Sequence, residues 1–176
     1  MLYQKYIRLV EDHADQLTRK WSSEVRHNPS TPGYKNIPEN QLNERVYDVF
    51  KRLGDYLLQD EPDFKKTAEH FIKLGRERAK EGMKVSEVIY ALILERVVIW
   101  NFIVEEGLIS STLDLHEALG FYMKINNFFD KAVYFIAKGF ENVHLSEVEV
   151  NRESDVVNKS VDAVMRWFIK KQSYNI

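Results

Sequence analysis

VSEVIYALILERVVIWNFIV, residues 85–104, is the stretch that decides the fold. It is long enough for about six helical turns and is apolar on almost every side. Its Val97-Val98-Ile99 run has strand character by propensity, but the helix flanks and the total length argue for a helix. A membrane span is the competing reading. The segment carries Glu87, Glu95, Arg96 and Asn101, and each charge near the middle of a span costs roughly 2.5–3.5 kcal/mol on insertion scales. Adjacent central charges therefore predict a helix in the middle of a globular domain, wrapped by its neighbours, and no membrane span.

The surrounding sequence supplies the wrapping. From about Leu2 to Arg26, Tyr6, Leu9, Val10, Leu17, Trp21 and Val25 recur mostly at three- and four-residue steps and predict one amphipathic helix. Asn28-Pro29-Ser30-Thr31-Pro32-Gly33 breaks it. A second helix is expected from Pro38, with Leu42, Val46, Val49, Phe50, Leu53, Leu57 and Leu58 as its stripe. Pro62, in an acidic first turn, opens a third that Gly82 can stop. Gly107 ends the central helix. Ser110-Ser111-Thr112-Leu113-Asp114 reads as a cap for a long fifth helix to about Val143. The fold class is thus all-α: a five- to six-helix bundle with a long C-terminal helix.

Residues 1–143 form the expected helical sensory or regulatory bundle, and 144–176 an output or dimerisation helix. In the latter, Val150, Val157, Val161, Val164 and Phe168 recur at steps of seven, four, three and four. Val157, Val161, Val164 and Phe168 make a narrow heptad seam suited to one partner helix, which predicts a homodimer.

Composition excludes several functions. The chain of 176 residues is 44% apolar, enough for a substantial core, and its net charge of -2 offers no basic field for nucleic acid. It has no cysteine, so disulfides, thiolate metal sites and cysteine nucleophiles are excluded. The N-terminus lacks a basic start followed by an apolar stretch, and a cytoplasmic location is expected. No phosphate-binding glycine loop, no nucleophile elbow and no His-Glu-x-x-His motif occurs. The five histidines, at 13, 27, 70, 116 and 144, never stand one turn apart. No metal site, no cofactor and no catalytic residue is expected.

Candidate binding residues are few. Glu95 and Arg96 interrupt the most apolar helix, where unpaired charge is costly. They can recognise a polar ligand group in a pocket, or form a structural pair with Arg76, Arg78 or Asp130. Arg96 stands one turn from Trp100, within stacking reach. The aromatic run Phe121, Tyr122, Phe128, Phe129, Tyr134, Phe135 and Phe140 can fill a core or line a cavity. Glu95, Arg96, Trp100, Tyr122 and Phe129 are accordingly the candidate ligand-pocket residues.

One block goes beyond pattern. Leu74-Gly75-Arg76-Glu77-Arg78-Ala79-Lys80-Glu81-Gly82-Met83-Lys84-Val85-Ser86-Glu87-Val88-Ile89, with Leu92, Leu94-Glu95-Arg96 and Trp100, resembles the N-terminal domain of the RsbT co-antagonist (RsbRD-type) family. The resemblance continues through Phe128-Phe129-Asp130-Lys131-Ala132-Val133 and Ala137-Lys138-Gly139-Phe140-Glu141. It implies a non-catalytic bacterial input domain placed before stress-signalling or other output domains, with a globin-like shape in related inputs. The function expected is sensory or regulatory, exercised through a protein partner or a small ligand. The alternative is a haem- or cofactor-binding globin-like sensor, with His70 as the candidate ligand.

Overall fold

The computed structural model describes residues 3–58 and 61–146. Within them the chain is helical, and no strand occurs among the described residues. The elements are α1 Gln4–Asp12, α2 Ala14–His27, a 3-10 turn Pro32–Tyr34, α3 Glu39–Glu44, α4 Tyr47–Lys51, α5 Leu53–Leu57, α6 Glu61–Lys80, α7 Val85–Glu105 and α8 Thr112–Ser146. No helix of the described residues is long and apolar enough to cross a membrane. The seam residues Val157, Val161, Val164 and Phe168 lie outside the described residues. So does most of the 144–176 unit, although α8 itself runs on past Val143.

Two expected helices are broken. The first bends at His13, whose backbone N–H is shared between the carbonyls of Leu9 and Val10. Its ring bonds Leu9 O at 2.8 Å and packs 5.1 Å from Phe102 on α7, so tertiary packing fixes the bend. The stretch from Pro38 to Leu58 becomes three short helices instead of one. Val46 and Arg52 leave helical geometry, and the backbone N–H of Gly54, free in the first turn of α5, is taken by the Glu11 carboxylate at 2.8 Å. Turning twice lets Leu42, Val46, Phe50 and Leu53 all point inward.

The helix ends follow the sequence closely. Gly82 and Gly107 both have positive φ. Met83 N–H reaches back to Arg78 O at 3.1 Å, the five-residue closure that a left-handed residue permits. At the start of α8, Asp114 N–H donates to Ser111 Oγ at 3.1 Å, and Ser110 and Ser111 donate to the Asp114 carboxylate. Lys5 joins the same carboxylate. Together Lys5 and Ser111 hold the Asp114 acid well below the usual range. Ser111→Ala is expected to cost about 1 kcal/mol of stability in urea unfolding. An unchanged midpoint would mean that the cap is redundant.

Two arrangements hold the bundle. The α6–α8 pair crosses with little side chain between the backbones: Gly75 faces Gly139, flanked by buried Ala68 and Ala132. A Cβ on Gly139 would stand 2.9 Å from both Gly75 Cα and Arg76 N, and closer still to Ile72 O. Meanwhile α7 rests on α1, α2, α6 and α8. Its Val88, Ala91, Val98, Ile99, Phe102 and Ile103 are buried, and the Trp21 indole N–H donates to Ala91 O at 2.9 Å.

The wrapping of α7 is nevertheless incomplete. Val97 and Val104 are exposed, and Ile89, Ile93 and Trp100 are only half-buried. The helix is apolar on a side that no other described element covers.

Candidate functional site: a buried acid and an apolar outer face

On its inner side, α7 lines a cavity of about 360 Å³. Val88, Leu92, Phe71, Leu74, Val49 and Ile136 give it apolar walls, and Trp21 and Tyr34 add aromatic ones. Tyr34 is set there by the Pro32–Tyr34 turn. That turn is anchored by the Gly33 N–H donating to the Glu87 carboxylate at 2.7 Å, and the Tyr34 ring meets Trp21 edge-on at 6.0 Å. Burial pushes the Tyr34 phenol upward.

Glu95 belongs to the same lining. Its side chain is buried at 4% exposure, and its Oε1 has no hydrogen-bond partner. Burial alone drives its carboxyl well above the ordinary range, with no cation to offset it. The nearby guanidinium groups are engaged elsewhere. Arg45 bonds Glu81 at 3.0 Å, and Arg78 bonds the same carboxylate. Most buried acids in folded proteins are paired, so an unpartnered one facing a cavity is the chemical oddity of this domain.

The other predicted pocket residues are not gathered around it. Arg96 points away from Glu95 and pairs with Asp130 at 3.4 Å. Thus of the two readings of the adjacent charges, the structural pair holds for Arg96 and not for Glu95. The Trp100 and Tyr122 rings lie 4.8 Å apart, joining α7 to α8 near the surface. Phe129 is buried in the core, as are Phe121, Phe135 and Phe140. His70 is exposed on α6, its ring against Phe71, at the margin of the cavity. Among the described residues no group of three or more His, Asp or Glu is placed to hold a metal ion. Sequence reasoning missed Trp21, Tyr34 and Val49 as cavity walls, because they come from separate elements with no shared spacing.

The second feature is the outer face of the α7–α8 pair. Among the described residues, every exposed large apolar side chain except Leu58 and Val85 lies between Val97 and Met123. Ile93, Val97, Trp100 and Val104 recur at steps of four, three and four on α7. Leu115, Leu119, Tyr122 and Asn126 do the same on α8. The turn between Glu106 and Ser111 makes the helices antiparallel, so the Trp100–Tyr122 and Arg96–Asp130 contacts lie along one shared groove. Soluble domains rarely leave so continuous an apolar patch uncovered.

Among the described residues the domain thus combines an all-helical bundle, a cavity faced by an unpartnered acid and a helical face that no described element covers. The family model of the RsbT co-antagonist protein RsbRD N-terminal domain matches residues 15–153. The chain belongs to that family, which is one of stress-signalling regulatory domains. No curated protein and no solved structure matches it.

Proposed function

We propose that this domain is a non-catalytic input module that works as a pair, docking the outer face of α7–α8 against the same face of a second copy. One observation carries the reading: heptad-spaced apolar residues on both helices of an antiparallel pair, on the side away from the core. Two such pairs face to face form a four-helix bundle.

Three features favour a second copy over a foreign partner. The Arg96–Asp130 ion pair, at 3.4 Å, bridges the two helices along the same groove. An ion pair of this kind offers one charge of each sign and so can match its own copy across a two-fold axis. The size also suits: α7 gives a face about 30 Å long and two helices, roughly 20 Å, wide, near the scale of a standard interface. Finally, α8 leads on toward the Val157–Phe168 seam, which carries the same heptad signature. In this reading a signal altering the packing of α7 on α8 is passed along α8 to an output partner or domain.

Light scattering on the full chain should give twice 20.8 kDa. Leu119→Glu places a charge in the apolar groove and should yield monomer, with the association constant lowered at least a hundredfold, since buried unpaired charge costs several kcal/mol. Val161→Glu tests the C-terminal seam separately. A mass that stays dimeric in Leu119→Glu and falls in Val161→Glu would move the interface to the seam; a wild-type monomer would end the proposal.

A further inference from the structure

We propose that the Glu95 cavity is a binding site for a small, uncharged, largely apolar molecule that presents one hydroxyl or amide group to the Glu95 carboxyl. The site lies on the inner side of α7 and is separate from the outer face of the α7–α8 pair.

The first argument is shape and lining. About 360 Å³ falls in the range of small-molecule pockets and is far more than the roughly 30 Å³ share of one water. The walls from Phe71, Leu74, Val88, Leu92 and Ile136 are apolar. Gln41, Glu44, Arg45, His70 and Arg78 also line the cavity, so an apolar body bound against these walls leaves polar groups on its remaining side.

The second argument is the unsatisfied oxygen. Glu95 Oε1 is buried and lacks a donor. Three donors of the cavity lining are committed to other partners: the Trp21 indole N–H to Ala91 O, and Arg45 and Arg78 to Glu81. A ligand O–H or N–H completes the set, and the neutral carboxyl can donate its own proton in return. Groups buried unpaired in the free state and paired in the bound state give a site its selectivity, because an analogue lacking the polar group leaves them unpaired.

The third argument sets the charge class. An ammonium group would require the buried Glu95 carboxyl to ionise, and both ions would lose hydration. A carboxylate would meet an acidic group with no nearby cation free to hold it. A neutral donor avoids both costs.

The test uses the full chain, labelled with nitrogen-15, and three closely related aromatic probes at pH 7: benzyl alcohol, toluene and benzylamine. The Trp21 indole N–H, identified by its loss in Trp21→Phe, is the reporter in the cavity wall. Benzyl alcohol should shift it saturably and bind about tenfold more tightly than toluene, the worth of one good hydrogen bond. In Glu95→Leu that preference should vanish while toluene still binds. Glu95→Gln, which keeps an acceptor, should retain much of it and guards against a folding defect in the leucine variant. Three results would overturn the inference: no saturable shift with any probe, benzylamine binding most tightly, or an alcohol preference that survives in Glu95→Leu.

Discussion

Gly139→Leu should lower the stability of this domain by roughly 3–5 kcal/mol, a fall in Tm of about 10 °C for a chain of this size. The reason is the α6–α8 crossing. Gly139 meets Gly75 backbone to backbone, and any Cβ there would intrude on Gly75 Cα, Arg76 N and Ile72 O. These are backbone atoms in the middle of two long helices and cannot rotate aside as a side chain can. Even Gly139→Ala should destabilise. Alanine gains about 1 kcal/mol over glycine from helix propensity, but separating the helices also loosens the packing of Ile72, Phe71 and Ile136 around the crossing. Gly120 is the control within the same helix. A Cβ at Gly120 meets nothing within 4 Å, so Gly120→Ala should stabilise by about 0.5–1 kcal/mol. Urea unfolding of the three variants would check this. Equal effects at Gly139 and Gly120 would show that the close approach is not what holds α6 to α8.

Removing the acid at position 95 has the opposite sign and depends on pH. The Glu95 carboxyl is raised well above its ordinary value of 4.5 by burial. Above pH 4.5 the unfolded chain releases this proton while the folded protein keeps it, so the folded state binds more protons. Stability must then fall as pH rises, by up to about 1.4 kcal/mol per unit, until the folded-state value is passed. Glu95→Gln lacks the titration. Its advantage over the wild type should be smallest near pH 4.5 and grow toward neutrality. Glu95→Leu, similar in volume and free of the unpartnered oxygen, should be more stable than the wild type at pH 7 by about 1–3 kcal/mol. Thermal melts of wild type and both variants between pH 4.5 and 8 would show it. A pH-independent difference would mean that Glu95 is ionised and paired in the folded protein. A domain more stable without a residue than with it is the usual mark of a group kept for binding.

The same residue shows how far sequence reading reached. Two adjacent charges in the most apolar helix were legible as an anomaly, and a helix separates neighbouring positions by about 100°, so they could not share one environment. Which of the two faced inward was not legible. The structure turns Glu95 into the cavity and Arg96 onto Asp130. The cavity itself was beyond sequence reasoning, since its walls come from the 3-10 turn, two loop-linked short helices and four longer ones. The Gly75–Gly139 crossing was equally hidden, because each glycine alone reads as a mild defect in a helix and only their meeting gives them a role.

Helical periodicity, the stop glycines Gly82 and Gly107, the Ser111 cap and the all-apolar character of residues 85–104 are local properties, and each depends on neighbours within one or two turns. They determined from the sequence alone that this is an all-α bundle built around α7 with a long helix after it. The bend at His13, the division of residues 38–58 into three helices, the burial of Glu95 without a partner and the uncovered outer side of α7 were decided only in three dimensions. Each depends on which distant residue occupies the space opposite: Phe102, Glu11, the cavity, and solvent. A sequence records that α7 is apolar all round; only the packed chain shows which sides serve its own core and which side no other described element covers.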